Sequence, residues 1–186
     1  LTSGLGAMGY GIPALIGASV ASSNKDIYGI ESDGSLMMNI QELASLKATG
    51  KKIKIFIMNN NGYASIRNTQ KNYFEERAIA TDADSKLFIP DIGGLANAFG
   101  FKSICIKSVA ELEKKLDKVV QYDGSIICEV VLKSDDVLWP KSAAIPQKDG
   151  SMLSMPLEDM SPLLSRQELE EQMIVPLDLT SKRIKN

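Results

Sequence analysis

Histidine is absent from the 186-residue sequence. Its absence excludes, within this chain, the Ser-His-Asp and Cys-His nucleophile systems, a histidine general base and histidine-ligated zinc. Charges of the two signs nearly balance, since 21 Lys+Arg residues against 23 Asp+Glu residues give a formal net charge of −2. With 44% hydrophobic residues, the composition is typical of a globular domain and excludes a strongly basic nucleic-acid-binding protein and a disordered chain.

Cysteine is also scarce. The two thiols, Cys105 and Cys128, lie inside apolar runs, which indicates buried reduced cysteines instead of a disulfide framework or a metal site. No apolar run reaches the roughly 18 to 20 residues of a membrane helix, and no signal peptide opens the sequence. These observations predict a cytoplasmic protein without a membrane partner. Because the sequence begins at Leu1, directly before a glycine cluster, we expect it to be a domain of a longer chain.

Strand and helix patterns alternate along the first two thirds of the chain. Runs rich in Ile, Val and Phe predict buried strands at 26–30, 53–58, 101–106 and 125–132. Helical spacing falls between them, at 38–47, 90–99 and 109–122. This order predicts an α/β fold, a three-layer α/β/α domain around a parallel sheet, over residues 1–133.

The remaining residues, 134–186, have a different character. Five prolines interrupt them, no strand pattern is present, and one helical candidate spans 166–173. We therefore predict an extended, irregular C-terminal tail.

Polar turns directly follow two of the predicted strands, at 31–35 and 59–62. Because one helix links these strands, we expect them to be neighbours in a parallel sheet, with both turns at its carboxyl edge. Asp33 and Asn60 then face one another. A carboxylate, an amide oxygen and a turn carbonyl suit Mg²⁺, which completes its octahedron with water and phosphate oxygens.

Two further residues favour an anion beside that cation. Gly34 allows close backbone approach, and Ser35 lies at the start of a predicted helix. The combination predicts a site for a magnesium diphosphate. The alternative is that Asp-Gly and Asn-Gly are ordinary turn dipeptides.

The segment from Ser32 to Leu43, followed by Asn59-Asn60, resembles the diphosphate-binding motif of thiamine diphosphate enzymes. The resemblance is to the acetolactate synthase large, catalytic subunit and its relatives in particular. Leu1 to Ala14 resembles the stretch with which that family enters this domain. The similarity covers residues 1–133 and implies the thiamine diphosphate-binding fold, with the family's pyrimidine-binding and central domains absent from this chain.

The resemblance implies thiamine diphosphate and Mg²⁺ as cofactors. The metal ligands would be the side chains of Asp33 and Asn60 and the carbonyl of Gly62. The Gly6 carbonyl would accept a hydrogen bond from the cofactor's 4′-amino group, and Met8 would be the apolar wedge beneath the cofactor. The full set of cofactor-binding residues implied is Gly6, Met8, Asp33, Gly34, Ser35, Asn60, Gly62 and Tyr63.

The reaction implied is decarboxylation of an α-keto acid such as pyruvate, with transfer of the two-carbon unit to an acceptor. The family's activating glutamate belongs to a separate domain, usually of the other subunit of a homodimer or homotetramer. This chain would then carry no catalytic residue and would be inactive alone.

The sequence departs from the family at two positions. Ser32 replaces a usual glycine, which we expect to be tolerated, and Thr69 replaces a tryptophan that helps select the acceptor. The acceptor therefore need not be 2-ketobutyrate or pyruvate. Arg67 and Lys71 are candidates to bind an anionic acceptor, the alternative being that both are solvated surface residues.

Two other functions stay open at this stage. Residues 4–9 have the G-x-G-x-x-G spacing of an NAD-binding Rossmann-type oxidoreductase, with Glu31 at a suitable distance to bind a ribose. That hypothesis leaves Asp33 and Asn60 without a role. The second is a non-catalytic dimerisation domain of the same fold, which would be indicated by loss of a metal ligand.

Overall fold

The computed structural model describes residues 6–22, 25–75, 77–134, 139–142 and 144–183. The chain divides into two compact units, Leu1–Asp136 and Val137–Asn186. The division between the units falls after Asp136, whereas the sequence pattern predicts a domain boundary three residues earlier, after residue 133. Every helix in the described part of the chain is too short or too polar to span a lipid bilayer.

A four-stranded parallel sheet forms the centre of the first unit. Its strands are β1 (Ile27–Ser32), β2 (Ile53–Asn59), β3 (Lys102–Ile106) and β4 (Ile126–Val131), in the spatial order β1-β2-β4-β3. All four predicted strands are present. β1 and β2 are neighbours, and Ser32 pairs with Met58 at their carboxyl ends. The two polar turns therefore leave the sheet side by side.

Among the described residues of the first unit, six helices accompany the sheet: α1 (Gly11–Ala21), α2 (Asp33–Met38), α3 (Glu42–Ala48), α4 (Ala64–Tyr73), α5 (Ile92–Ala98) and α6 (Val109–Val120). The helix predicted at 38–47 is α3, which begins later than predicted: Met38 is the last residue of α2, and residues 39–41 form a turn between the two helices. The patterns do not predict α1 or α4. The sequence of α1 is apolar on nearly all sides and that of α4 is mostly polar, so neither has the apolar stripe that identifies a helix.

Alternating side chains of the sheet build a core on each face. Ile53, Ile55 and Ile57 of β2 pack in one cluster with residues of α1, α3 and α5. Phe56 points the other way, into a cluster that contains Val119 of α6 and Cys128 of β4. Helices thus cover the sheet from both sides, which confirms the three-layer α/β/α prediction.

Both cysteines are free thiols, as predicted. Cys128 is buried and Cys105 is half-buried. Burial raises the pKa of each thiol to about 11, so both stay protonated at neutral pH. Neither therefore provides a reactive thiolate at neutral pH.

The second unit has more regular structure than the predicted irregular tail. Strands β5 (Ala144–Pro146) and β6 (Met152–Ser154) form an antiparallel pair, and two helices follow, α7 (Arg166–Gln172) and α8 (Leu179–Arg183). The helix predicted at 166–173 is α7, whereas the hairpin and α8 are not predicted. Prolines obscured the strand pattern, although a proline is acceptable at the end of a short strand such as β5.

An ion pair lies inside the second unit. The Arg166 guanidinium donates to both carboxylate oxygens of Asp159, over 2.6 and 3.0 Å. Asp159 is 1% exposed, so Arg166 takes the place of the solvent that the Asp159 carboxylate would otherwise contact. Arg166 also donates to the Ser181 carbonyl in α8. Hydrogen bonds between residues distant in sequence thus order a segment whose composition indicates a loop.

Replacing Arg166 with Met should destabilise the second unit by about 3 kcal/mol, because it leaves the buried Asp159 carboxylate without its counter-charge. The measurement is the opening free energy of α7, from hydrogen exchange at the Leu169 amide. Glu170→Ala, an exposed charge on the same helix, should change that value by less than about 0.5 kcal/mol. Equal effects of the two substitutions would contradict the role given to the ion pair.

Candidate functional site

The two polar turns meet at the carboxyl edge of the sheet. Asp33 is the first residue of α2, directly after β1, and Gly62 follows β2. The Gly62 amide donates to Asp33 Oδ2 over 2.7 Å. Asp33 is fully buried at this junction. The carboxylate and the 59–62 turn are therefore in direct contact.

Two oxygens at this junction lack a partner. Three buried side-chain polar atoms in the described part of the chain make no hydrogen bond, and Asp33 Oδ1 and Asn60 Oδ1 are two of them. A buried carboxylate or amide oxygen without a donor is costly. A hard cation bound between the turns would satisfy both oxygens, so the residues present fit a Mg²⁺ ion.

The small number of side-chain ligands at this junction also agrees with Mg²⁺. No group of three or more His, Cys, Asp or Glu side chains with metal-binding geometry occurs among the described residues. A cation here would thus have few side-chain ligands. Mg²⁺ commonly binds in this way, since it takes one or two protein carboxylates and keeps water or phosphate oxygens as its other ligands.

Gly34 and Tyr63 pack against each other across the two turns. A Cβ atom built on Gly34 would lie 2.6 Å from the Tyr63 ring and 3.1 Å from the Gly62 carbonyl oxygen. The close approach of the turns thus requires glycine at position 34. Ser32 has an extended backbone, with φ −103° and ψ 159°. A serine at position 32 therefore causes no backbone strain, and its effect on cofactor affinity stays a prediction.

The glycine loop before α1 is attached to the same edge. The Gly9 amide donates to Ser35 Oγ over 2.7 Å, and the Gly9 carbonyl accepts from Asn39 Nδ2 over 2.8 Å. Ser35 is thus an acceptor for the loop, and its hydroxyl proton is still available to an anion. Asn39 is a site residue that the sequence analysis missed, although it lies inside the motif.

A second attachment uses Glu31. Its Oε2 accepts from the Gly11 amide over 2.9 Å, and its Oε1 accepts from the Ser32 amide over 2.8 Å. A Cβ on Gly11 would lie 2.2 Å from Glu31 Oε2, so this contact requires a glycine. Both carboxylate oxygens are engaged, which argues against Glu31 as a ribose ligand in a dinucleotide site.

The loop presents Gly6 and Met8 at the surface. Gly6 has φ +59° and no heavy atom within 4 Å of a Cβ built on it. Met8 is 47% exposed and is not part of either core cluster. Met8 is therefore not a core residue of this domain. Leu1–Leu5, including Gly4 of the G-x-G-x-x-G spacing, lie outside the described residues.

Helix α4 carries the residues considered for the acceptor. Thr69 and Lys71 are exposed, and Thr69 Oγ1 donates to the Ser65 carbonyl one turn earlier. The Arg67 guanidinium contacts backbone carbonyls. Lys71 is thus open to solvent, whereas Arg67 is engaged with backbone, which is neither of the two roles considered for it.

Fold and site together define an α/β domain in which unpartnered buried oxygens of Asp33 and Asn60 and the hydroxyl of Ser35 lie at the carboxyl edge of a parallel sheet. The family described as "Thiamine pyrophosphate enzyme, C-terminal TPP binding domain" matches residues 1–130. The chain belongs to this family, and the resemblance inferred from its sequence is confirmed. The family's cofactor is thiamine diphosphate, which is another name for thiamine pyrophosphate.

Individual proteins similar to this chain are acetolactate synthase large subunits. The acetolactate synthase large subunit of Cyanidium caldarium is 32% identical over 152 residues, or 82% of this chain and 25% of that protein. The acetolactate synthase isozyme 2 large subunit of Escherichia coli K12 is 36% identical over 139 residues, or 75% of this chain and 25% of that protein. The chain thus spans about a quarter of the length of the curated relatives it matches.

A solved structure has the same fold. It is the thiamine diphosphate-dependent 4-hydroxybenzoylformate decarboxylase of Rhodococcus jostii RHA1, with a TM-score of 0.59 at 24% identity. The match covers 70% of this chain and 24% of that one. At this identity the likeness establishes the fold alone.

Proposed function

We propose that this chain binds the diphosphate end of thiamine diphosphate through Mg²⁺, as one domain of a larger, acetolactate synthase-like enzyme. The observation that carries the proposal is the pair of unpartnered buried oxygens, Asp33 Oδ1 and Asn60 Oδ1. They lie on turns that the hydrogen bond from Gly62 to Asp33 joins. A dication that binds a diphosphate would give both oxygens the partner that they lack.

Each site residue has a role in this proposal. Asp33 and Asn60 bind Mg²⁺ through side-chain oxygens and Gly62 through its carbonyl. Gly34 lets the backbone approach the diphosphate, Ser35 donates its hydroxyl proton to it, and Tyr63 supports the turn by packing on Gly34. Gly6 and Met8 would orient the pyrimidine ring, Gly6 as a carbonyl acceptor and Met8 as an apolar wedge.

When bound, thiamine diphosphate supplies a nucleophilic carbon and an electron sink for decarboxylation of an α-keto acid such as pyruvate. The residues of this chain hold and orient it. The activating glutamate is expected outside this chain, in a cytoplasmic homodimer or homotetramer that includes the missing domains. The chain alone would then be inactive. Thr69, in place of the synthases' tryptophan, suggests an acceptor other than pyruvate or 2-ketobutyrate.

The other hypotheses have less support. An NAD-binding domain needs a carboxylate directed at the ribose, whereas both oxygens of Glu31 accept hydrogen bonds from backbone amides. A non-catalytic dimerisation domain would be indicated by loss of a metal ligand, and Asp33, Asn60 and Gly62 are all present.

Titration of the intact protein with thiamine diphosphate, with and without Mg²⁺, tests the proposal. We expect saturable binding with Mg²⁺, at least a hundredfold weaker binding in excess EDTA, and CO₂ release from pyruvate with transfer of the two-carbon unit. NAD⁺ in the same calorimetric titration should give no binding. Cofactor affinity that EDTA leaves unchanged would contradict the proposal.

A further inference from the structure

The Arg67 guanidinium lies where four backbone carbonyls converge. Its Nη1 donates to the carbonyls of Asn61 (3.1 Å) and Thr81 (2.9 Å). Its Nη2 donates to those of Asn60 (2.9 Å) and Ser134 (2.8 Å). Two of these carbonyls belong to the turn after β2, and the other two come from segments distant in sequence. One side chain of α4 therefore joins three stretches of backbone beside the proposed metal site.

The turn after β2 needs such support. Asn61 and Gly62 both have positive φ, +61° and +125°, and the carbonyls of Asn60 and Asn61 leave the turn outside the sheet ladder. A Cβ built on Gly62 would lie 3.1 Å from Arg67 Nη1 and 2.3 Å from the Thr81 carbonyl oxygen. Positive φ is unfavourable for Asn61, and Gly62 adopts it readily but loses much conformational freedom when it is fixed, so the turn keeps this shape where surrounding contacts determine it.

The Thr81 carbonyl is a fixed anchor for these contacts. Thr81 is 1% exposed, and its amide donates to Ser85 Oγ over 2.8 Å. The same carbonyl accepts from the Tyr63 amide over 2.9 Å. Arg67 and Tyr63 thus attach the turn to one oxygen whose own position is set by its loop.

We infer that Arg67 is a positioning residue, which fixes the turn so that Asn60 Oδ1 and the Gly62 carbonyl face Asp33. The inference rests on the proposed function, since it concerns the geometry of the same metal site. A planar guanidinium directs its donors in fixed directions, whereas a lysine ammonium has three donors on a single atom. Lysine retains the charge but cannot serve four carbonyls in this arrangement.

Charge and geometry predict opposite effects on Mg²⁺. A cationic side chain near a cation site repels the ion, so removing the charge alone would tighten Mg²⁺ binding. Loss of the four hydrogen bonds would release the turn and weaken binding. The sign of the change therefore distinguishes positioning from simple electrostatics.

The test compares Arg67→Met, Arg67→Lys and Lys71→Met in the intact protein. The readout is the Mg²⁺ concentration at half-saturation, with thiamine diphosphate at a fixed saturating concentration. We expect a rise of about tenfold or more in Arg67→Met, equivalent to about 1.4 kcal/mol, and a similar rise in Arg67→Lys. Lys71→Met, which removes an exposed cation one turn further along α4, should stay within about twofold. Unchanged or tighter binding in Arg67→Met, or full rescue by lysine, would overturn the inference.

Hydrogen exchange of the ligand-free protein gives a second readout that needs no cofactor. The Gly62 and Tyr63 amides should exchange at least tenfold faster in Arg67→Met, while the amides of β2 keep their protection. Faster exchange throughout β2 would indicate a general structural role and refute positioning. If methionine prevents folding, Arg67→Lys is measured in its place. Failure of the unsubstituted protein to bind the cofactor with Mg²⁺ would refute the proposed function, whereas normal turn exchange in the variants would refute this inference.

Discussion

The Asp33→Ala variant of the intact protein should lose Mg²⁺-dependent binding of thiamine diphosphate, with an affinity at least a hundredfold lower. The substitution removes the charged metal ligand and the acceptor of the Gly62 amide. It therefore separates the two turns and weakens the charge attraction for the ion. Isothermal titration at fixed Mg²⁺ measures the loss.

Two further variants control this experiment. Asp33→Asn retains an oxygen acceptor for Gly62 and should still bind the cofactor weakly. The unfolding free energy of its ligand-free form should not fall, because a buried uncompensated carboxylate is itself costly. Asp117→Ala removes an exposed carboxylate from α6 and should bind normally. Normal affinity in Asp33→Ala would refute the assignment of the metal site.

Gly62→Ala should both destabilise the first unit and abolish Mg²⁺-dependent binding. The added Cβ would lie 2.3 Å from the Thr81 carbonyl oxygen, on a residue with φ +125°. Steric overlap and the unfavourable backbone conformation together should cost about 3 kcal/mol or more. The turn that carries Asn60 must then move, and its oxygen no longer faces Asp33. Chemical denaturation and Mg²⁺ titration measure the two effects separately.

Gly50 provides the matched control for this substitution. It also has positive φ, +66°, but no heavy atom lies within 4 Å of a Cβ built on it. Gly50→Ala should therefore cost only the conformational penalty, about 1 kcal/mol, with cofactor binding unchanged. Equal effects at the two positions would show that conformation alone, and not the contact with Thr81, makes Gly62 necessary.

The strands were predictable because their signal is local. Ile53, Ile55 and Ile57 contact one core while Phe56 contacts the other, and a strand buried on both faces is an apolar run whatever its partners. Helices without an apolar stripe gave no such signal. α4 has no buried residue, and its position depends on contacts such as those of Arg67.

In the second unit, the amino-acid composition led to a wrong prediction of an irregular tail. Five prolines indicate a loop, yet the pairing of Arg166 with Asp159 and the hydrogen bond from Arg166 to the Ser181 carbonyl order the segment. An arginine and an aspartate in a polar stretch are ordinary surface residues by their sequence. Only their burial makes them a structural pair.

The amino-acid order alone predicted the parallel sheet and the polar turns after its first two strands. It therefore also placed the side-chain oxygens of Asp33 and Asn60 at one edge of the sheet, as candidate metal ligands. These features depend on residues close in sequence, and local periodicity and turn chemistry report them directly. The fold decided that Asp33 Oδ1 and Asn60 Oδ1 are buried without partners, that Glu31 binds the Gly11 amide, and that Arg67 reaches the Ser134 carbonyl. Those contacts join segments 20 to 67 positions apart, and such convergence depends on how the packed core directs each side chain, which spacing does not encode.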